Sequence, residues 1–245
     1  MTSIPLASRR VLVTGASSGI GARIAQACAT AGAEVAVVAR PSERLKAVAA
    51  AAGAHPVAAD LRDPDAAGMA VTRAAEALGG LDAVVNNAGV ARMGPIMGTT
   101  YADWRAMFDV NVLAVLAVTQ ASVPHLRAAG GGDLVNVSSM SGRRVPRAAE
   151  GVYCGTKFAV HAISDGLRQE LHGDGIRVTV VAPGRIAAGA DLPGPGESTA
   201  DPLRIPEHPA SVTPEQVGHL VVHVLGLPET VGIRELAFAP SAQQT

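Results

Sequence analysis

The sequence predicts a three-layer α/β fold on a seven-stranded parallel sheet, and three observations carry that expectation. Short runs of Val, Ala, Leu and Ile alternate with longer amphipathic stretches along the chain, as they do where parallel strands are covered by helices on both faces. A glycine loop, Gly15–Ala16–Ser17–Ser18–Gly19–Ile20–Gly21, separates the first apolar run from the first helical stretch. Polar residues close successive runs, among them Asp60, Asn86–Asn87 and Ser138–Ser139. In such a sheet those positions share the carboxyl edge, where ligands sit.

Length and composition narrow the function classes. A chain of 245 residues fits one domain spanning 1–245, and its 48% hydrophobic content supplies an ample core built from aliphatic side chains. A net charge of -1 gives no broad basic field for nucleic acid or an anionic membrane. No signal-peptide pattern is seen, and no apolar stretch is expected to span a bilayer. Cys28 and Cys154 lack metal-ligand spacing, which points to reduced thiols, a cytoplasmic location and no metal site.

The elements follow in order. Arg10–Thr14 reads as a buried strand, the glycine loop comes next, and Ala22–Ala31 reads as an Ala-rich helix. A glycine cluster is often an ordinary turn. Between a strand and a helix it binds phosphate, because glycines let the backbone approach and the free amides at the helix start face an anion. Glu34–Ala39 is the second strand, and Arg40 stands at its end, where an acid would bind free ribose hydroxyls. A guanidinium there either pairs with a 2′-phosphate, favouring NADP over NAD, or is solvated at the head of a helix over Pro41–Ala51.

His55–Ala59 makes the third strand, closed by Asp60 and Leu61. Asp63 caps a helix that carries Pro64 in its first turn and runs to about Leu78. Leu81–Val85 is the fourth strand, ending in Asn86–Asn87–Ala88–Gly89, where asparagines support a turn or satisfy neighbouring backbone. Thr100–Asp103 can form a capping box for a long helix to about His125. Asn111 falls in its middle, where asparagine is unfavourable, and either holds a water or backbone carbonyl in a cleft or faces solvent.

Leu134–Val137 is the fifth strand and delivers Ser138 and Ser139 to the carboxyl edge. The next helix carries Tyr153 and Lys157, four residues apart and so on one face. There an ammonium can favour the phenolate, although the same spacing also fits a core tyrosine beside a solvated lysine. Ile176–Val181 is the sixth strand, followed by Pro183–Gly184. The Pro- and Gly-rich stretch 187–209 reads as a loop over the cleft. Thr213–Gln216 opens the last helix with a cap, and Ile233–Ala239 is the seventh strand.

Taken together, these residues resemble the short-chain dehydrogenase/reductases over essentially the whole chain. Their Thr-Gly-x-x-x-Gly-x-Gly appears at Thr14–Gly21, their Asn-Asn-Ala-Gly at Asn86–Gly89, and their Tyr-x-x-x-Lys at Tyr153 and Lys157. Asn111 and Ser139 match the remaining members of the family's tetrad, and Asp60 matches the residue that touches the adenine. Arg40, Gly94–Pro95 and the ending Leu227–Pro228…Glu235–Leu236…Pro240 look like an NADP-dependent branch that includes the 3-hydroxy acid dehydrogenases and the dehydrogenase that reduces clavulanate aldehyde. Three departures stand out. Ser139 lies fourteen residues before Tyr153 instead of thirteen, Ala188 replaces a threonine, and the 187–209 loop is short.

The resemblance implies a Rossmann fold binding NADP, as NADPH for reduction. Gly15, Ser17, Ser18, Gly19, Ile20, Gly21, Arg40, Asp60, Leu61, Asn87, Ala88, Gly89, Tyr153, Lys157, Pro183, Gly184 and Ile186 would hold it. It implies interconversion of a carbonyl and an alcohol on a small to medium organic substrate. Tyr153 would act as general acid/base, Lys157 would tune it, Ser139 would bind the substrate oxygen, and Asn111 would hold a water. Met93, Ser139, Met140, Tyr153 and Leu192 would line the substrate pocket, with Cys154 nearby. Arg143, Arg144 and Arg147 either recruit an anionic group or form a solvated loop. A homotetramer or homodimer is implied, built partly on the helices that hold Asn111 and Tyr153. An epimerase, dehydratase or imine reductase on the same scaffold, or a non-catalytic NADP-binding regulator, is the competing reading.

Overall fold

The computed structural model describes residues 6–187 and 211–241. Its strands are β1 (Arg10–Thr14), β2 (Glu34–Ala39), β3 (His55–Ala58), β4 (Ala83–Asn86), β5 (Gly132–Val137), β6 (Ile176–Pro183) and β7 (Glu235–Phe238). All pair in parallel, in the order β3-β2-β1-β4-β5-β6-β7. The order reverses between β1 and β4, which opens a crevice at their carboxyl ends.

The helices are α1 (Gly19–Thr30), α2 (Glu43–Ala52), α3 (Pro64–Leu78), α4 (Tyr101–Phe108), α5 (Ala114–Ala128), α6 (Gly151–Glu170) and α7 (Pro214–Leu225). One face of the sheet packs Val11, Val13, Val35 and Val37 on α1, α2 and α7. The other packs Leu12, Val84, Leu134 and Val178 on α3 and α5 and on Leu167 and Leu171 near the end of α6. Alternate residues of each strand serve opposite layers, so the strands read as unbroken apolar runs.

Several boundaries differ from the sequence reading. The first helix starts at Gly19, not Ala22, because the glycine loop itself supplies the opening turn. Helix α2 starts after Ser42, whose hydroxyl accepts from the Leu45 amide at 3.2 Å, leaving Pro41 outside it. Strand β4 begins at Ala83 because Asp82 is held by Arg10, whose amide and Nε both donate to its Oδ2 at 2.8 Å. Strand β7 begins at Glu235, after the Ile233 carbonyl has accepted from Thr179 Oγ1 at 2.6 Å.

The long helix is interrupted. Between α4 and α5 the backbone widens into a π-turn over Asp109–Leu113. The span Tyr101–Ala128 is, by length and composition, apolar enough to cross a membrane, contrary to the sequence expectation. Burial accounts for that character: half of its apolar window lies inside the domain, where α5 packs on α3, β4 and β5.

At the amino end of the sheet, Asp133 is buried between two arginines. Arg9 donates to its Oδ2 at 2.7 Å, and Arg177 donates to Oδ1 and Oδ2 at 2.8 and 3.0 Å. The same guanidiniums reach the carbonyls of Asp82, Leu225, Leu227, Pro228 and Val231.

Candidate active site

A groove of about 460 Å³ runs along the crevice between β1 and β4. Gly15, Ser17, Ser18, Gly19, Ile20 and Gly21 form its floor on one side, and Asn87, Ala88 and Gly89 face them. The loop needs its glycines for contact as well as for turning. Gly15 has φ +65°, and a Cβ there would lie 2.6 Å from Ala88 Cα. One on Gly21 would lie 2.4 Å from Asn87 Nδ2 and 2.5 Å from the Gly15 carbonyl oxygen.

Thr14 and Asn87 lock the two strand ends together. Thr14 Oγ1 accepts from the amides of Asn87 and Ala88, both at 3.1 Å, while Asn87 Nδ2 donates to the carbonyls of Thr14 and Gly15 at 3.0 and 3.2 Å. Asn86 serves differently: its Nδ2 donates to Thr119 Oγ1 and Asn136 Oδ1 in a buried side-chain ladder. At the start of α1, Ser18 makes no side-chain capping bond and the first turn holds no acid. The positive end of the α1 dipole therefore faces the groove beside the loop that lines it.

The far end of the groove is cationic. Arg40, Asp60, Leu61 and Arg62 line it. Arg62 grips Asp60 through its amide at 3.1 Å, through Nε to both oxygens at 3.0 Å, and through Nη2. The guanidinium holds the Asp60 carboxyl below its usual range, with Arg40 adding to the effect. Arg62, Val90, Arg92, Ala106 and Val110 are lining residues that sequence reasoning missed. They belong to no motif, and only the fold brings them to the groove.

The other polar cluster adjoins Gly89, where a Cβ would lie 3.4 Å from Asn111 Oδ1 and 3.8 Å from Lys157 Nζ. Asn111 sits in the π-turn and is 1% exposed. Its Oδ1 accepts from the Val90 amide at 2.8 Å, and its Nδ2 donates to the Val90 carbonyl at 2.9 Å and to Thr156 Oγ1 at 3.0 Å. The side chain thus holds backbone, one of the readings open from sequence, and both its N–H donors are spent.

Lys157 is buried and donates to the Val137 carbonyl at 3.0 Å. Desolvation pushes its pKa down to about 8. Its Nζ lies 5.8 Å from the Tyr153 ring centroid. Burial pushes the Tyr153 phenol up to about 12, while a hydrogen bond with the Ser139 side chain pulls it the other way. The sequence expectation that Lys157 favours the phenolate is not met in the free protein. Desolvation dominates, and among the described residues the hydrogen bond of the ammonium runs to a carbonyl and not to the phenol.

Ser139 and Ser141 part company at the end of β5. Ser139 Oγ faces Tyr153 and the Pro183 carbonyl, the latter at 3.5 Å, and accepts from the Ser141 amide at 3.1 Å. Ser141 Oγ instead donates to Glu150 Oε2 at 3.4 Å. Two 3₁₀ turns, Met140–Gly142 and Ala148–Glu150, bring the chain from Ser139 to Tyr153. Glu150 anchors the second through Arg147 Nε at 2.5 Å. The Gly94 amide donates to the Ala149 carbonyl at 2.8 Å, tying the loop after β4 to this connection.

The remaining expected residues divide. Pro183 and Gly184 end β6 beside Ser139, with the Gly184 amide on the Phe238 carbonyl at 2.6 Å, and Ile186 bridges to Val212. These three are not among the described walls of the groove. Met93 and Met140 are half-buried in the two flanking loops. Cys154 is fully buried beside Tyr153. Leu192, Ala188 and nearly all of the 187–209 loop lie outside the described residues.

The family model for the short chain dehydrogenases matches residues 9–192. A bovine protein, dehydrogenase/reductase SDR family member 11, is 33% identical, covering 97% of this chain and 98% of its own. A short chain dehydrogenase from Burkholderia cenocepacia, solved in complex with NADP, is 36% identical with a TM-score of 0.83, covering 95% of this chain and 96% of its own. Serine dehydrogenase from Escherichia coli is 29% identical with a TM-score of 0.82, covering 96% and 99%. With its motifs in order on a matching fold, the chain belongs to the short-chain dehydrogenase family.

Proposed function

We propose that the protein is an NADP(H)-dependent oxidoreductase that interconverts a carbonyl and an alcohol on a small organic substrate. The observation that carries this reading is a chain of neighbours: Gly89, in the wall of the groove that also holds Arg40 and Arg62, adjoins Lys157, whose Nζ lies 5.8 Å from the Tyr153 ring centroid, and the Ser139 side chain faces the Tyr153 phenol. The groove suits the cofactor: the glycine loop brings the positive end of α1 to where a diphosphate would lie, and Arg40 stands where it can meet a 2′-phosphate. The NADP complex of the Burkholderia relative supports the same choice. Bound there, NADPH supplies the hydride.

The chain's own residues supply the proton. A phenol with its pKa near 12 keeps its proton at neutral pH, so Tyr153 stands ready to protonate the developing alkoxide. Ser139, whose side chain faces the phenol, holds the substrate oxygen in line with that transfer. Lys157, still mainly an ammonium at pH 7 with its pKa at about 8 and its Nζ 5.8 Å from the Tyr153 ring centroid, stabilises the phenolate left behind. Asn111 holds Val90 and Thr156 in place.

The finer reading places the chain in the branch of 3-hydroxy acid dehydrogenases. Its support is the fold and identity shared with serine dehydrogenase, since serine is a 3-hydroxy acid. Arg143 and Arg147 are paired with Glu235 and Glu150, which among the described residues leaves Arg144 as the loop cation for a substrate carboxylate. Exposed Phe108, Leu113, Leu116 and Phe158 on the α4–α5 and α6 surfaces support self-association as a dimer or tetramer. Two free thiols fit a reducing, cytoplasmic setting.

The test is NADPH consumption against a panel of aldehydes, ketones, imines and 3-oxo acids, with 3-hydroxy acids and NADP+ for the reverse direction. Turnover of a carbonyl or alcohol is expected. NADPH binding without turnover across the panel would overturn the reading in favour of a regulator.

A further inference from the structure

Behind the Ser139 turn lies a polar group with no part in the chemistry above. His161 follows Lys157 by one turn of α6. Its ring packs on Gly142, whose amide closes the turn on the Ser139 carbonyl at 2.8 Å. A Cβ on Gly142 would lie 2.6 Å from His161 Cδ2 and 2.7 Å from Nε2. His161 Nδ1 stands 3.8 Å from Glu235 Oε1 at the start of β7, and Arg143 Nε stands 3.3 Å from the same oxygen.

Among the described residues neither buried His161 Nε2 nor buried Glu235 Oε1 has a well-formed hydrogen bond, and Arg143 meets the latter only as an ion pair at 3.3 Å. Such atoms are costly in a packed interior and point to a role that needs them. Burial holds the imidazole below its ordinary range. Glu235, the Ser139 carbonyl and Asp165 pull the other way, and Arg143 adds to the depression. The ring is therefore mainly neutral at pH 7, with one N–H to give.

We propose that His161, backed by Glu235 and Arg143, is a positioning residue for Ser139: it fixes the Ser139–Gly142 turn against α6 and so sets how the Ser139 hydroxyl is presented to the Tyr153 phenol. Three elements, the turn after β5, helix α6 and strand β7, meet at this cluster. Gly142 has no side chain to keep the ring off, so the ring itself sets the height of the turn. The inference rests on the proton-transfer reading of Ser139 and Tyr153.

The chain has two tyrosines, Tyr101 and Tyr153, and Tyr101 is 72% exposed. The whole protein labelled with 13Cζ-tyrosine therefore gives two phenol signals, and Ser139→Ala identifies the one that senses Ser139. His161→Leu is expected to move that signal in the same direction by at least half as much, and His161→Gln to leave it near the wild-type position. In turnover, His161→Leu should lower kcat about tenfold, the loss of one well-placed hydrogen bond, with NADPH affinity unchanged. It should cost nothing further in a Ser139→Ala background.

The proposal is overturned by a phenol signal that His161→Leu leaves in place, by one that Ser139→Ala also leaves in place, by equal effects of Leu and Gln, or by additive losses in the double variant. Should His161→Leu fail to fold, Glu235→Gln is read by the same signal, with a smaller shift in the same direction expected and no shift overturning the proposal. If wild type turns over no substrate, the reductase reading fails, and the phenol signal still decides the positioning role.

Discussion

Asp133 at the amino end of the sheet is 2% exposed, and Lys157 at the carboxyl end is 6% exposed, yet the two buried charges are partnered in opposite ways. Arg9 and Arg177 answer both oxygens of Asp133, and their other donors go to main-chain carbonyls. Lys157 has three donors and, among the described residues, one hydrogen-bond acceptor. A charge matched on every side holds a fold together. One left short of partners has a depressed pKa, a neighbour to act on and an appetite for a ligand.

The comparison can be tested by breaking each end. Tyr153→Phe removes the proton that the under-partnered end is built to move, and should cut turnover about 10²–10⁴-fold while NADPH binding, read by cofactor fluorescence, survives. Asp133→Ala leaves two guanidiniums without their acid and should cost ~3–5 kcal/mol in urea unfolding, with kcat unchanged below the new Tm.

Lys157→Met should do the reverse, abolishing activity while stabilising the fold. A lysine whose folded pKa is about 8 against 10.5 unfolded carries its full penalty below pH 8, and loses that penalty as pH rises towards 10.5. The stability gain of the methionine variant should be on the order of 3 kcal/mol at pH 7 and shrink between pH 8 and 10.5. A gain independent of pH would separate it from the ammonium.

Smaller effects refine the site itself. Arg40→Ala should weaken NADPH about 10- to 100-fold and NADH far less, by the loss of charge-assisted bonds to a 2′-phosphate. Equal losses would remove Arg40 from that role. Ser141→Ala should change kcat less than about twofold, because its hydroxyl faces Glu150 and not the phenol.

Most of the fold was legible because buried parallel strands are written as plain aliphatic runs and helix starts as caps. Asp63, Thr100 and Thr213 cap the helices expected from them. What escaped was set by tertiary partners. Arg10 draws Asp82 out of β4, and the π-turn leaves no mark in composition because the residues over Asp109–Leu113 fit an ordinary helix equally well. At the site, the residues spaced by motif, Tyr153 with Lys157 and the loop Gly15–Gly21, could be read locally. Glu235 could not, since only the sheet brings β7 to His161 and Arg143, and Arg62 and His161, though local to Asp60 and Lys157, belong to no motif that marks them.

The widened turn at Asn111 also has a consequence for the design of variants. One extra residue per turn advances everything after it by roughly 100° around the helix axis. Helices α4 and α5 are therefore one rod with two different clocks. Removing a single residue from Asp109–Leu113 would repair the hydrogen-bond ladder and give a more regular helix. The repair would swing the apolar stripe of α5 away from α3 or the Asn111 amide away from Val90, so a gain in local regularity would be repaid as a misfit elsewhere. Attempts to idealise this helix by deletion should fail, and changes that keep its length should be tolerated.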